Sequence, residues 1–183
     1  MMILIIVLVI VLLLVMYLIS TRNGLVVARN KVRDQFSQID IQLKKRFDLI
    51  PNLVETVKGY ATHESETLEK VIAARSSYTS AKTDDEKIKA SNDLSSGISK
   101  IFALAESYPE LKANTNFEEL QKQLKDVEEK ISYARQFYND AVLMYNNKIE
   151  IFPSNLVASM FGFKQETFFK AEDNEKENVQ VKF

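Results

Sequence analysis

The sequence predicts an all-α protein in which an N-terminal transmembrane helix precedes an antiparallel, up-down-up-down four-helix bundle. Three observations lead to this prediction: an uncharged first segment, apolar residues that recur at steps of three and four, and only 4 Gly and 3 Pro among 183 residues. Steps of three and four place apolar side chains on one face of a helix. Scarce Gly and Pro argue against a sheet with many turns.

The first segment, residues 1–19, contains no charged side chain. As a helix it would be about 28 Å long, close to the roughly 30 Å thickness of a bilayer core. The alternative is a cleaved signal peptide, which has a basic start, a shorter apolar core and small residues before the cleavage site. The sequence lacks these features, so we expect residues 1–20 to be an uncleaved transmembrane anchor.

Basic residues follow the anchor at Arg22, Arg29, Lys31 and Arg33. The positive-inside rule keeps such a flank in the cytoplasm. We therefore expect a single-pass protein of the cell membrane, with its N-terminus outside and its helical bundle in the cytoplasm.

The apolar residues after the anchor fall into four stripes with helical spacing, and the last stripe is the clearest. Its members follow one another at steps of three or four: Phe117, Leu120, Leu124, Val127, Ile131, Ala134, Tyr138, Ala141 and Tyr145. Such a stripe is typical of a helix that packs at a shallow angle against its neighbours. Short connections between the stripes predict antiparallel neighbours, and hence a bundle of four long helices over residues 21–152.

The three prolines predict the helix boundaries, because a proline is tolerated in a first helical turn and disfavoured further along. Pro51 lies between the first two stripes, Pro109 before the fourth, and Pro153 after it. Thr83 and Glu86 have the spacing of a capping box, which predicts the start of the third helix. We expect residues 153–170 to form a Phe-rich short helix or capping segment. We expect the polar residues 171–183 to form a disordered tail.

The stretch Gln42–Glu64 combines charges, a proline and the single His of the chain, and it has two interpretations. The first is a structural ion pair, because Glu64 falls on or beside the apolar stripe and would need a basic partner, either Arg46 or another basic side chain of a neighbouring helix. The second is a recognition surface at the turn around Pro51. The candidate residues for either are Arg46, Asp48, Pro51, Asn52, Lys58, His63 and Glu64.

The Phe-rich segment also has two interpretations. If the fourth helix returns toward the membrane, the rings of this segment lie at the membrane-proximal end of the bundle. They would then either cap the open end of the core or contact lipid or a partner protein. The candidate residues for such contact are Phe161, Phe163, Phe168 and Phe169.

Several classes of function are disfavoured by the composition. The absence of Cys excludes thiol catalysis and Cys-based metal sites. One His and no Gly-rich phosphate-binding motif argue against an enzyme, a bound metal or another cofactor. Lys and Arg number 24 and Asp and Glu 25, which argues against nucleic-acid binding.

Three blocks of the sequence resemble the LemA family. They are RNKVRDQFSQIDIQLKKRFDLIPNLVETVKGYATHE, SYPELKANTNFEELQ and YNNKIEIFPSNLVASMFGF, in that order after a single membrane segment. The resemblance implies a bacterial membrane protein with a bundle of long helices, and one branch of the family is associated with magnetosome membranes. It implies no particular biochemical activity.

We therefore expect a non-catalytic scaffold or adaptor for membrane-associated partners. Its expected partners are the lipid bilayer, an unidentified membrane protein and, as a homo-oligomer, further copies of the chain. The alternative is a membrane-shaping or lipid-organising protein that engages the bilayer through its membrane-proximal end.

Overall fold

The computed structural model of the chain describes residues 1–61 and 64–169. Every regular element in these ranges is an α-helix, which confirms the all-α class with an apolar N-terminal helix. The helices are α1 (Met2–Lys58), α2 (Ser65–Ser80), α3 (Asp84–Ala105), α4 (Pro109–Lys112), α5 (Thr115–Glu150) and α6 (Ser154–Met160). The up-down-up-down arrangement stays a prediction.

Helix α1 begins with the apolar segment and continues without interruption into the body of the protein. Among the described residues it is the one helix long and apolar enough to cross a membrane, and no residue of its most apolar stretch is buried. Exposed apolar side chains along a whole helix surface are typical of a segment surrounded by lipid. The predicted anchor is therefore a candidate membrane span.

The predicted boundary at Pro51 is wrong, because α1 continues through this residue to Lys58. The apolar stripe keeps helical steps across the proline, and the flanking residues Phe47 and Val54 are both buried. The main-chain carbonyl of Phe47, which a proline four residues later leaves without its helical donor, accepts a hydrogen bond from Arg75 Nε at 3.3 Å. Burial and this bond offset the cost of a proline inside the helix.

The chain divides into two compact units, which are described separately. Unit 1 comprises Met1–Gln38 and Ala134–Phe169, and the described part of unit 2 lies within Ile39–Tyr133. Helices α1 and α5 contribute residues to both. The boundaries predicted at residues 20, 152 and 170 follow composition rather than packing and stay predictions, and the predicted tail, 171–183, lies outside the described residues.

Helices α2 and α3 pack against each other in unit 2. The predicted capping box at the start of α3 is confirmed: Thr83 Oγ1 accepts a hydrogen bond from the Glu86 N–H, and the Glu86 carboxylate accepts one from the Thr83 N–H, both at 3.2 Å. Farther along, Gly97 of α3 faces Val71 of α2 so closely that a Cβ on Gly97 would lie 2.6 Å from Val71 Cγ2. Glycine therefore sets the distance between these helices.

The predicted stripe of α5 is buried at every position except Ala134, which is half-buried. In unit 1, the C-terminal part of this stripe packs beneath the segment that follows α6. Tyr138 meets Phe36 of α1 edge to face, with ring centroids 5.7 Å apart. An edge-to-face pair of this kind stabilises the unit beyond what the burial of the two rings contributes.

Candidate interaction surfaces

The guanidinium of Arg46 is completely buried in unit 2. Its Nη1 donates to Glu128 Oε2 at 2.6 Å and to Ser95 Oγ at 2.8 Å. Its Nη2 donates to the main-chain oxygen of Ser91 at 2.9 Å and to Ser91 Oγ at 2.6 Å. Because charge-assisted hydrogen bonds are strong and directional, this cluster holds α1, α3 and α5 in one register within the unit.

Glu128 is the carboxylate partner that the sequence interpretation did not single out. Its side chain is half-exposed, so the pair is buried at the Arg46 end and open to water at the other. Glu64, the partner expected from the apolar stripe, is itself half-buried at the start of α2. The register-fixing ion pair of unit 2 therefore joins residues 82 positions apart in the sequence.

The other candidate residues of this stretch lie along α1 rather than at a turn. Asp48, Pro51, Asn52 and Lys58 are all exposed, and Asp48 accepts a hydrogen bond from Lys44 at 3.2 Å. His63 lies outside the described residues. Because Pro51 sits within the helix, the surface around it is a helix face, and its role in recognition stays a prediction.

A second polar cluster in unit 2 surrounds Asp40. Its Oδ1 accepts hydrogen bonds from the Tyr78 hydroxyl at 2.6 Å and from Lys87 Nζ at 3.0 Å. Burial opposes ionisation of Asp40, but these two hydrogen bonds and the Lys87 charge together lower its pKa. Burial raises the pKa of Tyr78, and the hydrogen bond to Asp40 raises it further by a smaller amount. The Tyr78 ring also stacks on Phe47, with centroids 3.9 Å apart.

Helix α6 packs on α1 in unit 1, just beyond the apolar segment. Val157 and Ala158 form a buried cluster with Leu25, and Leu18 and Phe163 are packed against it. Contact with Leu18 places α6 beside the last turns of the candidate membrane span. The position of α6 therefore matters for what this unit does at a membrane surface.

A Schellman motif ends α6 and turns the chain back along α5. The Phe163 N–H donates to the Ala158 carbonyl at 3.0 Å and the Gly162 N–H to the Ser159 carbonyl at 3.2 Å. Gly162 has φ +68°, in the left-handed region that glycine adopts at little cost. The motif places Phe163 against the buried cluster and sends the following residues away from α6.

Several large apolar side chains at this end of unit 1 are exposed. We call them the apolar corner: Ile151, Phe152, Leu156, Met160 and Phe161. The guanidinium of Arg22 lies over the Phe161 ring, 5.2 Å from its centroid, and Arg29 lies at the same distance over Phe163. The corner therefore combines exposed apolar groups with a cation at the end of the candidate membrane span, a combination suited to a lipid interface.

Residues 163–169 form an extended segment, here called the strap, which lies along α5. Four α5 side chains hold it, and we call them the ladder: Tyr138, Asn139, Tyr145 and Asn146. Each asparagine pairs with both main-chain groups of one strap residue, Asn146 with Glu166 at 2.9 and 3.0 Å and Asn139 with Phe169 at 3.0 and 2.8 Å. The Tyr145 hydroxyl donates to the carbonyl of Lys164 at 3.0 Å, and the Tyr138 hydroxyl donates to that of Thr167 at 2.9 Å.

The strap ends with one buried ring. Phe169 is almost fully buried, and Arg135 lies 4.4 Å from its centroid. Phe168 points the other way and remains half-exposed, like Phe161, whereas Phe163 is half-buried. The four predicted contact residues therefore separate into two that pack inward, Phe163 and Phe169, and two that face solvent.

Comparison with known proteins identifies the family. The LemA family model matches residues 35–183 of the chain. The chain belongs to the LemA family. Protein LemA of Metamycoplasma hominis is 26% identical over 166 residues, which cover 89% of this chain and 75% of that protein.

Two further relatives of this LemA family member are the magnetosome proteins MamQ 1 and MamQ 2 of Paramagnetospirillum magneticum. Each is 27% identical over 81 residues, covering 44% of this chain and 30% of the magnetosome protein. In the described part of the LemA chain, no group of three or more His, Asp or Glu residues is placed to hold a metal ion.

Proposed function

We propose that this LemA family member is a non-catalytic, single-pass membrane scaffold that holds a membrane-associated partner protein against unit 1. The observation that carries the proposal is an apolar stripe on the outside of the unit. Phe137, Met144 and Ile151 follow one another at intervals of seven residues and are 58, 67 and 59% exposed. The first two lie on α5, and Ile151 directly follows its last residue and still donates its N–H to the Asn147 carbonyl, as in a helix. Side chains seven apart lie on the same face of a helix and commonly pack against a second helix.

The exposed stripe formed by Phe137, Met144 and Ile151 lies where a membrane-associated partner could reach it. Its last member, Ile151, also belongs to the apolar corner, which lies next to α6 and the end of the candidate span. A partner helix that leaves the same bilayer would meet this stripe directly. The proposed orientation places the N-terminus outside the cell membrane and the residues after the span in the cytoplasm, in accord with Arg22, Arg29, Lys31 and Arg33 after the span.

Site-specific photo-crosslinking in native membranes tests the scaffold. A photoreactive residue in place of Met144 in the full-length chain should give discrete crosslinked protein bands. The same residue in place of Asp126, which is exposed on α5 in unit 2, provides the matched control. Equal patterns at the two positions, or no protein adduct at Met144, would reject the proposed partner surface.

The apolar corner supports a second candidate function, direct engagement of the bilayer surface. Five exposed apolar side chains and the Arg22 guanidinium lie beside the end of the candidate span, where an interfacial helix would sit. In this case the protein would organise or shape the lipid next to its anchor. The two surfaces share Ile151, but Met144 belongs only to the partner stripe and Phe161 only to the apolar corner, so the two functions can be tested separately.

Depth-dependent fluorescence quenching tests lipid engagement, because the chain contains no Trp. Phe161→Trp in the full-length protein, reconstituted in vesicles with brominated acyl chains, should be quenched and should emit at shorter wavelength. Tyr133→Trp, at an exposed position in unit 2, is the control and should be quenched much less. Equal and weak quenching of both variants would rule out insertion of the corner.

A further inference from the structure

The ladder is a binding site for an extended peptide, and it recognises main-chain groups. All six of its hydrogen bonds to the strap end on backbone N–H or C=O groups of Lys164, Glu166, Thr167 and Phe169. Each asparagine amide both donates and accepts, as the edge of a neighbouring β-strand would. A site of this kind has almost no requirement for particular side chains, apart from one anchoring position.

The anchoring position is filled by Phe169. Its ring is buried and lies under the guanidinium of Arg135 at 4.4 Å. The other strap residues leave their side chains mostly toward solvent, with Lys164, Gln165, Thr167 and Phe168 all exposed. The matching ligand is therefore an extended segment of about seven residues with an aromatic ring at its C-terminal end.

We propose that this ligand is supplied in trans by a second copy of the chain, so that two copies exchange their straps. The exchange replaces each ladder contact by an identical contact, and the free-energy difference between the two states is correspondingly small. The pivot is the Schellman turn at Gly162, where nothing lies within 4 Å of an added Cβ. Copies anchored in one membrane would also meet at a high local concentration, which favours an intermolecular contact.

A crosslinking experiment with the full-length chain tests the exchange, because the sequence contains no Cys. Gln165 Nε2 lies 2.6 Å from Glu150 Oε1, so these side chains mark the strap and the end of α5 beside it. A chain carrying both Glu150→Cys and Gln165→Cys reports the intramolecular contact with a short bismaleimide. Two co-expressed chains with different tags, one with Glu150→Cys and the other with Gln165→Cys, give a covalent heterodimer only when their straps have been exchanged or the two sites meet in another way.

Ladder substitutions separate these two origins of a dimer. Asn139→Ala with Asn146→Ala in the Glu150→Cys copy removes four of the six hydrogen bonds with which that copy would hold the other strap, and should lower the dimer yield at least tenfold. The same pair in the Gln165→Cys copy frees that strap from its own ladder and should raise the yield. Tyr138→Phe with Tyr145→Phe is a milder set, which removes only the two hydroxyls and keeps both rings packed; it should shift the yield in the same two directions.

These experiments decide whether two copies exchange their straps, and they do not depend on whether the protein binds a partner protein or lipid. A dimer whose yield depends on which copy carries the ladder substitutions supports exchange. An intramolecular product with no dimer overturns it, and so does a dimer that is indifferent to the position of the substitutions. Either negative result would leave the scaffold and bilayer tests unaffected, because those use Met144 and Phe161.

Discussion

Arg75 of α2 donates a hydrogen bond from Nε to the main-chain carbonyl of Phe47 in α1, at 3.3 Å. Phe47 is four residues before Pro51, and a proline has no N–H to give to that carbonyl. The neighbouring helix thus provides the donor that α1 lacks. A proline inside a helix costs about 3 kcal/mol, and a hydrogen bond from a charged group offsets roughly 1.5–3 kcal/mol.

We expect Arg75→Ala to lower the free energy of unfolding by about 1–2 kcal/mol, because it leaves the Phe47 carbonyl without a donor. In a Pro51→Ala background the same substitution should cost much less, since an alanine N–H restores the helical bond. Urea unfolding of the full-length chain in detergent, followed by circular dichroism, measures both values as a double-mutant cycle. Lys70→Ala, at an exposed ion pair of α2, is the control and should change stability by under about 0.5 kcal/mol. An equal cost of Arg75→Ala in both backgrounds would contradict this account.

The Arg46 cluster gives a larger effect. We expect Arg46→Ala to destabilise unit 2 by about 3–5 kcal/mol, because it opens a cavity and leaves Ser91 and Ser95 without their donor. Arg46→Met should cost clearly less, since its apolar stem fills most of the same volume. Chemical denaturation of the three proteins provides the comparison. Similar losses for Ala and Met would mean that the charge, rather than the packing, carries the stabilisation.

The sequence predicted most of the helical structure because the stripes of apolar residues are long. The prediction is wrong at Pro51, where the helix continues because the apolar stripe outweighs the unfavourable effect of a proline inside a helix. Phe47, Ile50, Val54 and Val57 keep their helical spacing across the proline, and all four are buried. The compensating donor, Arg75, is 28 positions away in the sequence from the Phe47 carbonyl that accepts its hydrogen bond. The residues around Pro51 therefore do not predict this bond.

The strap was also missed, for a different reason. Hydrogen bonds to main-chain groups do not require particular side chains, so they leave no sequence pattern in the segment that makes them. Residues 163–169 therefore show only a run of aromatic and polar residues. The signal lies in α5, where two Tyr-Asn pairs, at 138–139 and 145–146, stand seven residues apart and hence on one helix face. Polar groups at regular spacing beside a buried stripe indicate a second chain segment that needs hydrogen-bonding partners.

The Asp40 cluster makes stability depend on acid pH. The hydrogen bonds and charge that lower the pKa of Asp40 outweigh the opposing effect of burial and bring it below its ordinary value of 3.8. The unfolded chain therefore takes up the proton first, and the stabilisation present above pH 3.8 is lost as the pH falls through the lower, folded-state pKa.

We expect Asp40→Asn to reduce stability at neutral pH and to flatten the acid side of the stability profile, measured by urea unfolding between about pH 2 and 5. Tyr78→Phe is the matched variant: it keeps the ring stacked on Phe47 but removes one of the hydrogen bonds that lower the Asp40 pKa. It should flatten the same limb partially. An unchanged acid limb in Asp40→Asn would show that other groups control it.

The close approach of α2 and α3 gives the last prediction. A Cβ on Gly97 would lie 2.6 Å from Cγ2 of Val71, which is fully buried and stiff about χ1. Alanine is a better helix former than glycine by about 1 kcal/mol, so Gly97→Ala would stabilise α3 if the space were open. Because the space is occupied, we expect a net loss of about 1–2 kcal/mol in the free energy of unfolding.

A compensating substitution distinguishes steric overlap from any other cause. Val71→Ala alone should destabilise unit 2 by leaving a cavity, whereas Val71→Ala combined with Gly97→Ala should lose less than the sum of the two single changes. The positive coupling follows because the alanine at 97 occupies part of the space that the valine vacates. Urea unfolding of the four proteins gives the coupling energy directly. Strict additivity would mean that contact with Val71 is not what requires glycine at this position.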